Sequence, residues 1–176
     1  MGLQNNTTTN ALYLSKGKVI RRCEEKDSTL VKNGKHYQEF DSISGTIKSI
    51  KAVDGYEGSK DLSITIADQD ETYYLSFGVK SGYFRSFARS AKNIDFSMPL
   101  ELVPVFKEED GAKKSSLLVK QKGEWIKRYY TLDNKGEMPD AKPVELDGET
   151  LYDYKEQNDF LIKELITKFE SEKLPF

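Results

Sequence analysis

The sequence predicts a mainly β fold: a small Greek-key barrel of five or six strands with a helix between the third and fourth, preceded by an N-terminal hairpin arm and followed by a C-terminal helix. Three observations lead there. Apolar residues alternate in Leu62-Ser63-Ile64-Thr65-Ile66 and again at Tyr73, Leu75, Phe77 and Val79, the period of two that half-buried strands require. Directly afterwards Ser81 is placed to cap a helix whose Phe84, Phe87, Ala88 and Ala91 share one face at the i, i+3, i+4, i+7 spacing. Upstream, from Phe40 to Val53, the apolar positions Ile43 and Ile47 change parity to Ile50 and Val53 beyond Gly45, the mark of a long strand bent or bulged to curl a sheet.

Taken in order, residues 1–10 are polar and lack an apolar period, as a mobile arm would. Ala11 to Ser15 and Lys18 to Cys23 read as a hairpin around Lys16-Gly17. Asn33-Gly34, two residues that tolerate positive φ, turns Thr29-Leu30-Val31 into a strand that resumes near Lys35. The bent strand follows, then the loop Asp54 to Gly58, the hairpin and the helix. Pro99 to Phe106 is a strand, Lys107 to Lys114 a charged loop, Ser115 to Gln121 a strand, and Glu124 to Thr131 the last strand after the turn Lys122-Gly123.

Strand, strand, strand, helix, strand, strand, with the first strand long and bent, is the order of an OB-fold. An SH3-like barrel or a plain β-sandwich does not place its only amphipathic helix there. The domains expected are an N-terminal arm and hairpin over 1–34, an OB-fold-like barrel over 35–132, a Pro- and Gly-containing linker over 133–150, and an acidic helix and tail over 151–176. In the last, Asp153 and Glu156 resemble a capping box before the stripe Phe160, Leu161, Leu165, Ile166 and Phe169.

Composition narrows the function. A hydrophobic content of 37% with 32% charge is polar, but 11% aromatic residues supply enough large apolar surface to fold. No apolar run reaches the ~20 residues of a membrane span, and residues 1–10 hold no hydrophobic segment that could serve as a secretion signal, so the expected location is the cytoplasm. One cysteine, Cys23, excludes an internal disulfide and a Cys-rich zinc site. Residues 1–135 carry 22 Lys and Arg against 18 Asp and Glu, and residues 136–176 carry 5 against 11, giving +4 and −6. A basic body with an acidic end suits an anionic ligand on the body and another role for the tail.

Catalysis finds little support. Cys23 and His36 have no third orienting partner, no phosphate loop or nucleophile elbow occurs, and Glu108, Glu109 and Asp110 read as a solvated charge run. The expectation is a non-enzyme without metal or cofactor. Nucleic-acid binding has more residues behind it. With Tyr73, Leu75 and Phe77 turned to the core, Tyr74 faces outward, where a base can stack; the same alternation in the last strand puts Trp125, Lys127 and Tyr129 on one face. Tyr56 and Lys60 flank the first loop. Lys48, Lys51, Lys113, Lys114, Lys120, Lys122, Lys127 and Arg128 could line a groove for phosphates. The competing expectation is that these aromatics pack against arms such as Ala11 to Cys23, in a barrel that binds another protein. Arg85, Arg89 and Lys92 read as the solvated face of the helix.

Three segments carry a family resemblance: Ile43-Ser44-Gly45-Thr46-Ile47; Tyr73-Tyr74-Leu75-Ser76-Phe77 with Ser81-Gly82-Tyr83-Phe84-Arg85-Ser86-Phe87-Ala88; and Gln121 to Thr131. Together they resemble single-stranded DNA-binding proteins of the OB-fold kind, particularly small phage-type ones. The end, Leu174-Pro175-Phe176 after an acidic segment, is similar to bacterial single-stranded DNA-binding protein tails, which are acidic and close on Pro-Phe. The resemblance implies sequence-independent binding of single-stranded DNA in replication, recombination or repair, in the host cytoplasm if the protein is phage-encoded. It also implies docking of replication or repair proteins through Leu174, Pro175 and Phe176. RNA in place of DNA, and self-association into a homo-oligomer, stay open.

Overall fold

The computed structural model describes residues 10–69 and 71–173. Alternating sequence produces strands wherever it occurs. In chain order these are β1 (Ala11–Ser15), β2 (Lys18–Arg22), β3 (Leu30–Lys32), β4 (Lys35–Phe40), β5 (Ile43–Asp54), β6 (Lys60–Asp68) and β7 (Glu71–Gly78). Helix α1 (Gly82–Ser90) follows, then β8 (Leu100–Glu109), β9 (Ala112–Gln121), β10 (Glu124–Trp125), β11 (Lys142–Leu146), β12 (Glu149–Asp153) and helix α2 (Lys155–Glu172). The protein is mainly β, with one large sheet and a C-terminal helix.

Ten strands form that sheet in the order β10-β9-β8-β5-β6-β7-β1-β2-β4-β3. β5 bends as its parity change requires. Its ladder with β6 shifts register between Ile47 and Ser49, so Lys48 is the extra residue of a bulge. Gly45 lies where the strand runs tight against β6, and a Cβ there would stand 2.6 Å from the Ala67 carbonyl oxygen. Helix α1 begins as expected: the Ser81 hydroxyl accepts from Phe84 N at 3.3 Å, and Phe84, Phe87 and Ala88 are buried, with Phe87 edge-on to Phe77.

Several expectations are corrected. The sheet is not closed among the described residues: β7 carries β1 on its free edge as a parallel partner, and β9 carries β10. The charged stretch Lys107 to Lys114 is not a loop but the end of the β8–β9 ladder, turned by Asp110-Gly111, both at positive φ. The last strand stops at Trp125. Beyond it Tyr130 is pulled into the core between α1 and α2, with Tyr129 and Tyr130 N both donating to the Arg89 carbonyl, so extended pairing cannot continue. The stretch expected as a linker, 133–150, holds β11 and the start of β12, an antiparallel hairpin turned by Asp147-Gly148.

Apolar residues from every expected domain meet in one core. Leu12 and Val19 of the N-terminal hairpin, Ile47 and Ile64 of the central strands, Phe84 and Phe87 of α1, and Leu161, Leu165 and Phe169 of α2 belong to it. Phe169 packs edge-on to Phe96 with ring centroids 5.6 Å apart, and Phe160 packs on Tyr130 at the same separation. Helix α2 is thus a packed element despite the acidic charge of its segment. Tyr154 is its N-cap, and Asp153 reaches the first turn by accepting from Lys155 N at 2.9 Å. Among the described residues no helix is long and apolar enough to cross a membrane.

Candidate nucleic-acid interface

The strand pattern that buries Leu75 and Phe77 turns Tyr74 the other way, and Tyr74 is 52% exposed. The N-terminal hairpin does not cover it. Because β1 pairs with the edge of β7 in parallel register, Ala11 opposite Tyr74, Leu12 opposite Leu75 and Tyr13 opposite Ser76, the hairpin extends the sheet sideways. It also adds a second outward aromatic, Tyr13, 46% exposed.

Register follows this outer face across the sheet. One rung runs Lys51, Ser63, Ser76, Tyr13, Ile20, Glu39, and the next runs Ser49, Thr65, Tyr74, Ala11. Beyond β2 the sheet curls over this face. Lys32, Lys35 and Tyr37 of β3 and β4 line the same 400 Å³ cavity as Asp61 of β6, although β7, β1 and β2 lie between. Ile20 forms part of the floor: it is buried yet lies outside the main core. The result is a trough with Tyr13, Ser76 and Ile20 beneath and two lysines on one wall. Tyr74 and Lys51 stand on adjoining positions.

Of the residues singled out from sequence, none lines the trough itself; Tyr74 stands one rung from Ser76 on β7, and Lys51 lies on the Ser76 rung with Ser63 between them. Lys48 is the bulge residue of β5. Tyr56, 84% exposed, sits in the turn Tyr56–Gly58 joining β5 to β6, outside the trough lining. Lys60 shares the parity of buried Leu62 and opens instead on a 470 Å³ crevice with Arg85, Tyr152 and Tyr154.

The remaining candidates gather at the far end of the sheet. Trp125 is 54% exposed beside its cross-strand partner Lys120, whose ammonium lies 5.5 Å from the indole centre. Lys122 is in the β9–β10 turn. The expected single face of Trp125, Lys127 and Tyr129 does not form, since the strand has ended: Lys127 O accepts from Asn93 Nδ2, and Tyr129 is held by Lys92, 4.9 Å above its ring. Four strands separate β10 from β7, so Tyr74 and Trp125 are not parts of one adjacent-strand platform. Arg128, with Lys113 and Lys114, lies against α1.

Sequence reasoning missed Tyr13, Tyr37, Lys32 and Lys35. Tyr13 alternates with Leu12 and Leu14, so its outward aim was readable, but the strand it would lie beside was not. Lys92, between Tyr130 and Glu164, is a packing cation: hydrogen bonding to Tyr130 and Glu164 outweighs burial and raises its pKa well above the ordinary 10.5. Among the described residues no group of three or more His, Cys, Asp or Glu could hold a metal ion. Leu174, Pro175 and Phe176 lie outside the described residues.

No protein-family model matches the chain, and no curated protein or solved structure matches it either.

Proposed function

We propose that the protein is a non-enzymatic, sequence-independent single-stranded DNA-binding protein of the OB-fold kind, acting in replication, recombination or repair, with RNA as the alternative strand. The observation that carries this reading is the pair Tyr13 and Tyr74, each about half exposed on adjoining strands of the same outer face. Stacking is worth ~1 to 3 kcal/mol per base and needs no base identity. Two or three tyrosines in and beside the trough therefore suffice for binding that ignores sequence. A duplex offers no unstacked face to them.

The strand order supports the fold assignment. β9-β8-β5-β6-β7 with α1 in the β7 to β8 connection is the order of the five OB strands, opened between the third and the fifth. Charge is a secondary contribution here: Lys32 and Lys35 share the cavity with Asp61, Lys51 and Glu39 stand at opposite ends of one rung, and three phosphate contacts on a single strand give a log–log salt slope of only about −2.

Fluorescence anisotropy with labelled oligo-dT, duplex and RNA at low salt tests the proposal. Preference for the single strand is expected, and equal affinity for duplex, or no binding, overturns it. A second reading, a protein-binding module, draws on the hairpin β11–β12, where Val144, Leu146 and Leu151 share one exposed face. Under it, oligo-dT gives no anisotropy change.

A further inference from the structure

Helix α1 carries Gly82, Arg85, Ser86 and Arg89 along one face at helical spacing. Against this face lie the start of β9 and the loop after β10, and together they enclose a 300 Å³ crevice. Its walls bring in Lys113, Lys114 and Arg128, so five cations and no carboxylate line it; Ser86, Ser115 and Ser116 are there as well. Among the described residues none of the five cations forms an ion pair. Glu108 stands opposite Lys113 in the β8–β9 ladder without pairing with it.

Such a cluster is costly without a counter-charge, because like charges a few ångströms apart repel and the partly buried ones are poorly hydrated. The environment of Arg89 shows that cost. Burial, then Arg128 and Arg85, pull its pKa below the ordinary guanidinium value. Its Nη2 donates to Gln157 Oε1 at 2.8 Å, yet its Nε is buried with no partner among the described residues. Arg85 is pre-positioned, with Nη1 donating to the Lys80 carbonyl at 2.9 Å and the guanidinium 4.6 Å from the centre of the Tyr154 ring. Two guanidiniums held by their own second partners, with two exposed lysines opposite, make a cradle for tetrahedral oxyanions.

We propose that this crevice between α1 and the start of β9 is a phosphate-binding site, separate from the tyrosine trough, that takes a ligand carrying more than one phosphate. Five cations without an ion pair among the described residues exceed what one phosphate dianion neutralises. Two sources have this chemistry: a free polyphosphate compound, and the backbone of a nucleic-acid strand wrapped from the trough around the molecule. The inference does not depend on the trough, since an inorganic polyphosphate has no base to stack on Tyr13 or Tyr74.

Isothermal titration calorimetry with sodium triphosphate at about 50 mM salt provides the test, with sulfate as the comparison. The unaltered chain is expected to bind triphosphate more tightly than sulfate. The double variant Lys113→Gln/Arg128→Gln, whose side chains are exposed and leave the core untouched, should bind triphosphate at least about tenfold more weakly. Arg89→Gln should do the same, with its melting temperature recorded to separate folding from binding. Oligo-dT then distinguishes the sources. A strand that reaches the crevice makes long oligonucleotides lose affinity and salt slope in the double variant, whereas a free polyphosphate ligand leaves oligonucleotide binding unchanged. If triphosphate binds no better than sulfate and the double variant binds oligonucleotides as the unaltered chain does, the site is not a phosphate site.

Discussion

The backbone N–H of Leu117 donates to the hydroxyl of Ser86 at 2.6 Å. Leu117 stands opposite Pro104 in the β8–β9 ladder, and since its N–H goes to Ser86 and not to the Pro104 carbonyl, this is a non-hydrogen-bonded position, where proline's missing N–H costs no rung and the Leu117 amide points to the outer edge of β9. A closed barrel would place β7 on that edge. Here a helix serine takes the position, with Gly82 so close that a Cβ would meet the Ser115 carbonyl oxygen at 2.2 Å. Helix α1 therefore covers the edge of β9, and β1 takes the corresponding edge of β7.

Ser86→Ala should lower stability by ~1 to 3 kcal/mol, because it leaves a buried amide without an acceptor. For a chain of this length that is a drop of several degrees in melting temperature. Gly82→Ala should cost more, since the clash is with backbone. Thermal melts followed by far-UV circular dichroism decide both, and an unchanged Ser86→Ala melt would mean that water satisfies Leu117.

Tyr13→Ala and Tyr74→Ala should each weaken oligo-dT binding by ~1 to 3 kcal/mol while the melting temperature hardly moves, because both rings are half exposed and lie outside the core. Trp125→Ala, with four strands between it and β7, should have the smaller effect on short oligonucleotides that fill only the trough. Anisotropy titrations of the three variants rank them, and a larger loss for Trp125 would move the interface to β10.

Asp95 predicts the shape of the acid limb. The Ser97 hydroxyl, and after it the Ser97 amide, hold this carboxyl below its ordinary 3.8, with contacts of 2.5 and 3.0 Å to Oδ1. A carboxyl bound more tightly in its charged form contributes stability that is complete above its unfolded pKa and is lost as pH falls through the lower folded value. Asp95→Asn should therefore lower stability at neutral pH, leave it nearly unchanged near pH 2, and so flatten the loss of stability below about pH 4. Urea midpoints measured between pH 2 and 7 check it, and an unaltered acid limb would show that the Ser97 contacts do not persist in solution.

Leu165→Ala should destabilise the chain by ~2 to 5 kcal/mol, as expected of a fully buried leucine. Truncation before Lys155 should expose Phe96, Tyr130 and the α1 face and give a protein that aggregates or melts far lower. A truncated chain with the same melting temperature would show that α2 is an appendage, as its acidic composition had suggested.

Local pattern was legible wherever it was decided locally. The period of two in Leu62 to Val79, the Ser81 cap, the parity change along β5 and the Asn33-Gly34 turn each depend on residues within one or two turns of each other, and each formed where read. Two further Asp-Gly turns, at 110–111 and 147–148, carried the same signal, but surrounding charge and proline argued for loops. The outward aim of Tyr74 also followed from alternation alone.

Partnership between distant segments had no such signal. That β1 would lie along β7, that β3 and β4 would fold over it to make a trough, that Tyr130 would be drawn between two helices and end the last strand, and that Arg85, Arg89, Lys113, Lys114 and Arg128 would share one crevice are outcomes of which apolar faces bury each other best. The sequence determined which residues turn inward and which turn out. Only the tertiary structure decided which outward residues become neighbours, because that depends on packing across the whole core and not on spacing along the chain.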